Sequence, residues 1–328
     1  MQIYGLFPTY RPVSQIIYRK KRIRIEKQIL FLTFATLITL NFNYMKYKGL
    51  YGLMLAVAML ATACCPKQDA RIDVMTFNIR LNTPGDSLNS WPYRVDNVSA
   101  MVRYYEPDVI GTQEVLPDQF ADLKKVLSDY TALGVGREDG KDKGERCALF
   151  YKTNRFELID NGDFALSENP ENIGPKGWDA ACPRVATWAI LKDKATGKKF
   201  FALNTHLDHI GKVARREGAK LLVERMKTIA NGLPAVLTGD FNSHPDSEPI
   251  QTIIAGGVQY TAQTSPVKYG PSWSFHGFGR RPIEERSLID YIFTSPNFES
   301  LKYRVIADKP DNGYISDHCP VMSTLLLK

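Results

Sequence analysis

Cysteine is scarce in this chain, and what there is lies badly placed for cross-linking. Of five cysteines in 328 residues, Cys64 and Cys65 are adjacent, while Cys147, Cys182 and Cys319 stand far apart without C-x-x-C spacing. Neither a zinc site nor a disulfide framework is indicated, and the three distant thiols fit buried apolar positions. After residue 70 there is also no internal repeat, no low-complexity tract and no long linker, so one domain over residues 70–328 is the economical reading. A basic surface is missing too, although the formal net charge is +7. Residues 1–64 hold nine Lys or Arg and one acid, Glu26, which leaves 33 bases against 34 acids in residues 65–328. That body is nearly neutral and has no global field to gather a long phosphate backbone.

The excess charge belongs to a different kind of segment. Met45-Lys46-Tyr47-Lys48 precedes an apolar run from Leu50 to Leu60, and Ala61-Thr62-Ala63 leads into Cys64. That order predicts a secretory signal peptide over residues 45–64. Small residues before a cysteine resemble the lipobox of bacterial lipoproteins, with Ala61 where leucine is usual. The resemblance implies secretion across the cytoplasmic membrane and a lipid anchor at Cys64, in the periplasm or at the cell surface, with Cys65 as the alternative acceptor. Upstream, Arg19-Lys20-Lys21-Arg22 precedes the run Ile29–Leu40, which is short for a membrane span. Residues 1–44 read as an over-long start.

What the chain does have is a series of apolar runs that end in polar side chains. Ala235-Val236-Leu237 leads into Thr238-Gly239-Asp240-Phe241-Asn242. In extended chain, residues i and i+2 share a side, so Asp240 and Asn242 reach one centre. A carboxylate there can hold or deprotonate a water, and an amide can orient it. Taken alone, the motif also fits an Asx turn. The same grammar recurs at Asn78, after Val74-Met75-Thr76-Phe77, and at Glu114, after Asp108-Val109-Ile110-Gly111-Thr112-Gln113. It recurs at His206, at Asp290 and at Asp317-His318. His206 alone would pass for a structural residue, and Asp290 for a partner of some arginine. Six such placements in one order point to a single polar centre at a sheet edge.

The remaining pattern predicts the frame. Strands are expected at about 72–78, 108–111, 130–136, 146–151, 155–164, 184–192, 199–206, 235–240, 288–294, 301–308 and 319–327. Helices are expected from Trp91 to Tyr105, from Pro117 to Leu127 and from Lys212 to Ala230, the last with Ala219, Leu222, Val223, Met226 and Ile229 as its apolar stripe. Gly134–Gly144 reads as a loop. Many strands with few helices suggest two packed sheets flanked by helices.

The motifs F-N-I-R, Q-E, N-T-H, T-G-D-F-N, I-D-Y-I-F and S-D-H-C-P, in this order, resemble the endonuclease/exonuclease/phosphatase superfamily over about residues 71–328. The wording is similar to a bacterial secreted branch near the nocturnin-like enzymes. The resemblance implies an α/β fold of the deoxyribonuclease I type, a four-layer α-β-β-α sandwich with two central mixed sheets. It implies a hydrolase of phosphate esters that uses Mg²⁺ or Mn²⁺. Carried over motif by motif, Asn78, Glu114 and Asp317 would serve the metal, with Glu114 the main ligand. Asp240 would orient or deprotonate the attacking water and Asn242 would steady it. His318 would contact the scissile phosphate, with Asp290 fixing its tautomer. His206 would be a second phosphate contact or a general acid, and Arg184 a basic phosphate contact. One departure stands out: apurinic endonucleases carry an acid two residues after the first Asn, and here that residue is Arg80.

Oxygen-only ligands agree with a hard divalent cation. Two segments are expected to touch substrate, Gly177–Ala181 with Trp178 and Asp179, and Trp273–Arg281 with Phe275 and His276. Aromatics mixed with arginine can stack a base or sugar and hold a phosphate, and loop-core packing is the other reading. The expected substrate is a phosphodiester, as a small molecule or short nucleic acid. The alternatives are a phosphomonoester of a sugar or inositol, or a ligand-binding surface lipoprotein without catalysis. No protein partner is implied.

Overall fold

The computed structural model describes residues 70–311 and 313–328. The basic stretch at 19–22, the expected signal peptide and Cys64 with Cys65 lie outside the described residues. Strand β1 (Arg71–Asn78) shows how the fold is layered. Its residues alternate between two cores: Ile72 and Val74 join Phe200, Leu203 and Leu325 between the sheets, whereas Met75 and Phe77 join Trp91, Val98 and Leu123 on the helix side. A strand buried on both faces needs apolar residues at consecutive positions, as this one has.

The remaining strands are β2 (Val109–Gln113), β3 (Tyr130–Leu133), β4 (Leu149–Lys152), β5 (Phe156–Ala165), β6 (Val185–Asp193), β7 (Lys199–His206), β8 (Ala235–Asp240), β9 (Gln259–Tyr260), β10 (Val267–Tyr269), β11 (Asp290–Thr294), β12 (Phe298–Val305) and β13 (Val321–Leu327). They form a seven-stranded sheet, β10-β12-β13-β1-β2-β4-β3, and a six-stranded sheet, β5-β6-β7-β8-β11-β9. Both are mixed. β1 and β2 run parallel, as do β7 and β8, while β1 with β13 and β8 with β11 are antiparallel.

The helices are α1 (Val95–Tyr105), α2 (Pro117–Val126), α3 (Lys212–Ala230), α4 (Glu248–Ala255) and the single turn α5 (Thr261–Thr264). α1 and α2 cover the first sheet through Val98, Met101, Val102 and Leu123. α3 and α4 pack on the second through Ala219, Leu222, Met226, Ile250 and Ile253. The result is the expected four-layer sandwich.

Three local differences from the expected elements have physical causes. The helix expected from Trp91 begins at Val95, after a 3-10 turn at Trp91–Tyr93. Arg94, between them, is 2% exposed and donates to the carbonyls of Ile79, Arg80, Asn89 and Ile315, so it ties the turn to the rest of the fold. The expected 130–136 strand stops at Leu133, where Gly134 takes φ +123. Helix α4 was not anticipated, because it makes only two turns and opens on Glu248-Pro249, which also reads as a loop.

Between the sheets, directly beneath the site, lies a polar seam. Gln113 Nε2 donates to Asn204 Oδ1 at 2.7 Å and to Thr76 Oγ1 at 3.1 Å, and Thr238 Oγ1 donates to the same Asn204 oxygen at 3.1 Å. The network ties the two sheets in one register, with Gln113 Oε1 alone of its amide atoms left without a hydrogen-bond partner. Gly111 makes room for it: a Cβ there would lie 2.1 Å from Thr238 Oγ1 and 2.5 Å from Asn204 Oδ1.

Candidate active site

Strand register gathers the site. In the second sheet His206 pairs with Asp240, and Asp240 with Asp290, so three polar residues from distant parts of the chain stand in one row. In the first sheet Asn78 pairs with Gln113, which sets Glu114 one step beyond the edge. Arg80, Glu114 and Asn242 each lie just past a strand end with positive φ, at 60°, 63° and 46°. Residues with a Cβ adopt that conformation at a cost of order 1 kcal/mol, and hydrogen bonds hold these three there. Leu81 N–H donates to Glu114 Oε2 at 3.0 Å, Arg80 N–H to Asn78 Oδ1 at 3.0 Å, and Asn242 N–H to Asp240 Oδ1 at 2.9 Å. Between Asp240 and Asn242, Phe241 points the other way and packs edge-on against Tyr291 and Phe293 at 5.5 and 5.4 Å. Losing that ring would cost about 3–5 kcal/mol and release the turn.

Asn78 joins the two sheets. Its amide nitrogen donates to Glu114 Oε1 and to Asp240 Oδ2, both at 3.0 Å. Its carbonyl is turned to Arg80 N, so the side chain spaces two carboxylates. Asn242 Nδ2 donates to Leu207 O and His206 Nε2, both at 3.0 Å. An amide nitrogen cannot accept, so His206 Nε2 is the acceptor and the imidazole is neutral. Burial first, and then the charges of Arg184 and Arg137, hold its pKa well below the usual histidine value. His206 is therefore a positioning group near neutral pH and not a proton source.

His318 is the opposite case. Its Nδ1 lies 2.9 Å from Asp290 Oδ2, which also accepts from Ser274 Oγ at 2.5 Å. Burial disfavours the charged ring, but Asp290, then Asp240 and Asp317, override it and push the pKa up to about 10. Its Nε2 lies 3.8 Å from Asp240 Oδ2. Burial, followed by the charge of Asp290, pushes the Asp240 carboxyl up to about 7. A carboxylate so poised can exchange a proton near neutrality.

Glu114, Asp240, Asp290 and Asp317 thus crowd one end of the sandwich. Their cationic company is His318, Arg80 and buried Arg94, whose hydrogen bonds go to carbonyls and whose charge reaches Asp317 and Glu114 without a direct pair. The Arg80 guanidinium is already committed to Asp86, at 2.8 and 3.2 Å, and only approaches Glu114 and Asp317, at 4.0 Å each. Burial would raise Glu114, but the Asn78 hydrogen bond, His318, Leu81 N–H and Arg80 bring it below its usual value. Asp317 is raised, by burial and by Glu114. Buried carboxylates in excess of their partners fit a divalent cation: each Glu114 oxygen accepts one hydrogen bond and keeps a lone pair, Asp317 accepts Ser316 Oγ at 3.3 Å, and Asp290 Oδ1 is buried without a hydrogen-bond partner. Asp240, Asp290 and His318 also place one ligand atom each within 4.8 Å of one another. Because His318 is charged and bound to Asp290, that trio reads as a proton network. A second grouping, Cys182, Asp208 and His209, is filled by Arg184, whose Nε donates to Asp208 at 3.2 Å and whose terminal nitrogen lies 2.9 Å from His209 Nδ1.

The expected substrate residues divide. Phe275 leans on His318 with ring centroids 4.8 Å apart, and Arg281 lies over Phe275 at 4.6 Å. His276 is buried, packs tilted against Tyr314 with ring centroids 4.4 Å apart and accepts from Gly279 N–H, so it shapes the loop. Asp179 does something else: it accepts the N–H groups of Val213 and Ala214, at 3.2 and 2.7 Å, and caps the start of α3 from another loop. Trp178 packs against the core of the second sheet. Residues missed by sequence reasoning are Arg137 and Arg146. They border a small recess with Glu114, Arg184 and His206. The signal for Arg137 was its place in a glycine-rich loop; for Arg146 there was none.

A profile of the Endonuclease/Exonuclease/phosphatase family matches residues 75–318, which take in every polar residue of this centre. Among solved structures, the endonuclease/exonuclease/phosphatase of Bacteroides vulgatus is 43% identical, with a TM-score of 0.77 over 79% of this chain and 99% of that one. A mannosyl-6-phosphatase of Bacteroides thetaiotaomicron is 39% identical, with a TM-score of 0.74 over 77% of this chain and 99% of that one. The Ccr4 subunit of Mycosarcoma maydis, a 3'-5'-exoribonuclease of the CCR4-Not complex, is 24% identical over 75% of this chain and 47% of that protein. The chain spans about half the length of the curated relatives it matches.

Proposed function

The chain belongs to the endonuclease/exonuclease/phosphatase family, and from that premise we propose that it is a Mg²⁺- or Mn²⁺-dependent phosphomonoesterase of small phosphorylated sugars. Membership makes it a metal-dependent phosphoesterase. The observation that carries this into the site is the excess of buried carboxylates around Asp240 and Glu114, beside one buried imidazolium. Support for the monoester comes from the 39% identity to a mannosyl-6-phosphatase, matched over 99% of that chain. The near balance of bases and acids in residues 65–328 also suits a small substrate better than a long polyanion.

In this reading Glu114 and Asp317 hold the cation, with Asn78 keeping Glu114 in place. The cation when bound neutralises charge on the phosphoryl oxygens. Asp240 takes a proton from the water whose oxygen attacks phosphorus in line, while the ester P–O bond breaks and the leaving alkoxide takes a proton from solvent water to depart as an alcohol. Asn242 holds Asp240 through its backbone N–H and fixes His206 through its side chain. His318, oriented by Asp290, directs Nε2–H at the phosphoryl group, where a charged donor favours the transition state. Phe275 and Arg281 offer a face to the leaving group.

A second reading, phosphodiester cleavage, keeps support from the likeness to the Ccr4 exoribonuclease subunit. Hydrolysis of mannose 6-phosphate, bis-p-nitrophenyl phosphate and a short oligoribonucleotide, each with Mg²⁺, separates the two. Preference for either diester would refute the monoester reading. Export and acylation at Cys64 are part of the proposal on sequence alone. An unprocessed Met1 in the mass of the native protein would refute them.

A further inference from the structure

We infer that the recess bordered by Arg137, Arg146 and Arg184 receives one terminal oxygen of the substrate phosphate and thereby selects monoesters over diesters. This rests on the phosphomonoesterase reading and names what enforces it.

Arg146 is 3% exposed and Arg184 5%. Each has partners, but not enough. Arg137 pairs with Glu145 at 2.6 and 2.8 Å, Arg146 with Asp142 at 2.8 Å while lying 4.8 Å from the Phe120 ring centroid, and Arg184 with Asp208 at 3.2 Å. Left over are Arg137 Nε, Arg146 Nε and one terminal nitrogen, and one terminal nitrogen of Arg184, all buried and without an acceptor. Buried guanidinium donors are ordinarily satisfied. Four unsatisfied nitrogens on three arginines around one recess mark a place for an acceptor atom. An anionic oxygen answers guanidinium better than a neutral one does.

Size and position narrow the acceptor further. The recess has a volume of about 10 Å³, and its walls include Glu114 and His206, which belong to the catalytic centre. Room of that order admits about one water-sized group. An oxygen bonded to phosphorus fits such a space, whereas a sugar, a base or a second phosphoryl group does not. A phosphomonoester has three terminal oxygens and a diester has two, the third position carrying a carbon chain. With one terminal oxygen facing the cation at Glu114 and Asp317 and a second facing His318 Nε2–H, as in the phosphomonoesterase reading, the recess has a partner for the third oxygen and no space for a carbon on it.

The test compares kcat/KM for p-nitrophenyl phosphate and bis-p-nitrophenyl phosphate in the full chain, in Arg146→Lys and in Arg137→Gln. Loss of a charge-assisted hydrogen bond predicts that monoester kcat/KM falls at least about tenfold and that the monoester-to-diester ratio falls with it. An equal fall for both esters, or no fall, overturns the inference while leaving the monoester reading in place; the recess then holds only a water. A diester preference in the unmutated enzyme overturns both. Should the variants fold poorly, competitive inhibition of the unmutated enzyme decides. Inorganic phosphate should inhibit at least about tenfold more tightly than dimethyl phosphate, and equal inhibition contradicts the inference.

Discussion

The two ends of this sandwich are built from the same strands and treat charge in opposite ways. At the end where β1, β2 and β8 finish, Glu114, Asp240, Asp290 and Asp317 outnumber their cationic partners. At the end where β1 and β2 begin, acids and bases pair off. Asp108 accepts Arg155 at 2.6 Å and Lys152 at 3.1 Å, Asp193 accepts Arg155 at 3.0 Å, and Asp73 accepts Thr324 at 2.6 Å. The larger cleft, about 840 Å³, is at this second end. Cavity size therefore points the wrong way, and charge balance points to the site. Unpaired buried charge is costly for a fold to carry, so an end that carries it is the end with a ligand to meet.

That contrast can be broken by mutation. The largest expected effect is on Asp240→Asn, which should lower turnover by at least about a hundredfold, the scale of a lost positioned base. Its melting temperature should change little, because relief of the repulsion from Asp290 is offset by an amide nitrogen set against one of the two donors that Asp240 accepts. A clear loss of stability with turnover intact would place Asp240 among structural residues. Asp108→Asn, at the balanced end, should do the reverse. Unfolding in urea should show a loss of about 1–3 kcal/mol, tempered by the partial exposure of Lys152 and Arg155. Its kcat should match the unmutated enzyme, and a tenfold drop would mean that the two ends are coupled. The smallest effect is expected for Asp179→Ala. Removing an acceptor from two helix-end N–H groups should lower the melting temperature only slightly, and KM should not move. A raised KM with unchanged stability would return Asp179 to the substrate loop.

Much of the gathering of polar residues at the charge-crowded end was legible in the sequence, for a physical reason. Strand residues alternate, so an apolar run closing on Asp240-Phe241-Asn242 or on Asn78 announces both the strand and what its end presents. The pairing of His206 with Asp240 and of Asp240 with Asp290 then followed from the fold. Loop residues carry no such period. Asp179 caps a helix that begins 33 residues later, and nothing local to it shows that. Arg137 and Arg146 meet Arg184 only because the loop from β3 to β4 folds back beside β6. His206 was legible as a site residue but not in its role, since neutrality depends on burial and on the Arg184 and Arg137 charges beside it.

Melting temperature with and without Mg²⁺ tests the central claim most directly, in the metal-stripped full chain and in its Glu114→Gln and Asp108→Asn variants. A cation that binds only the folded protein raises its stability, by about 2.7 kcal/mol at a hundredfold excess over Kd. The charge imbalance predicts that the unmutated chain and Asp108→Asn gain that stability and that Glu114→Gln does not. Equal gains in all three, or none in any, would contradict it.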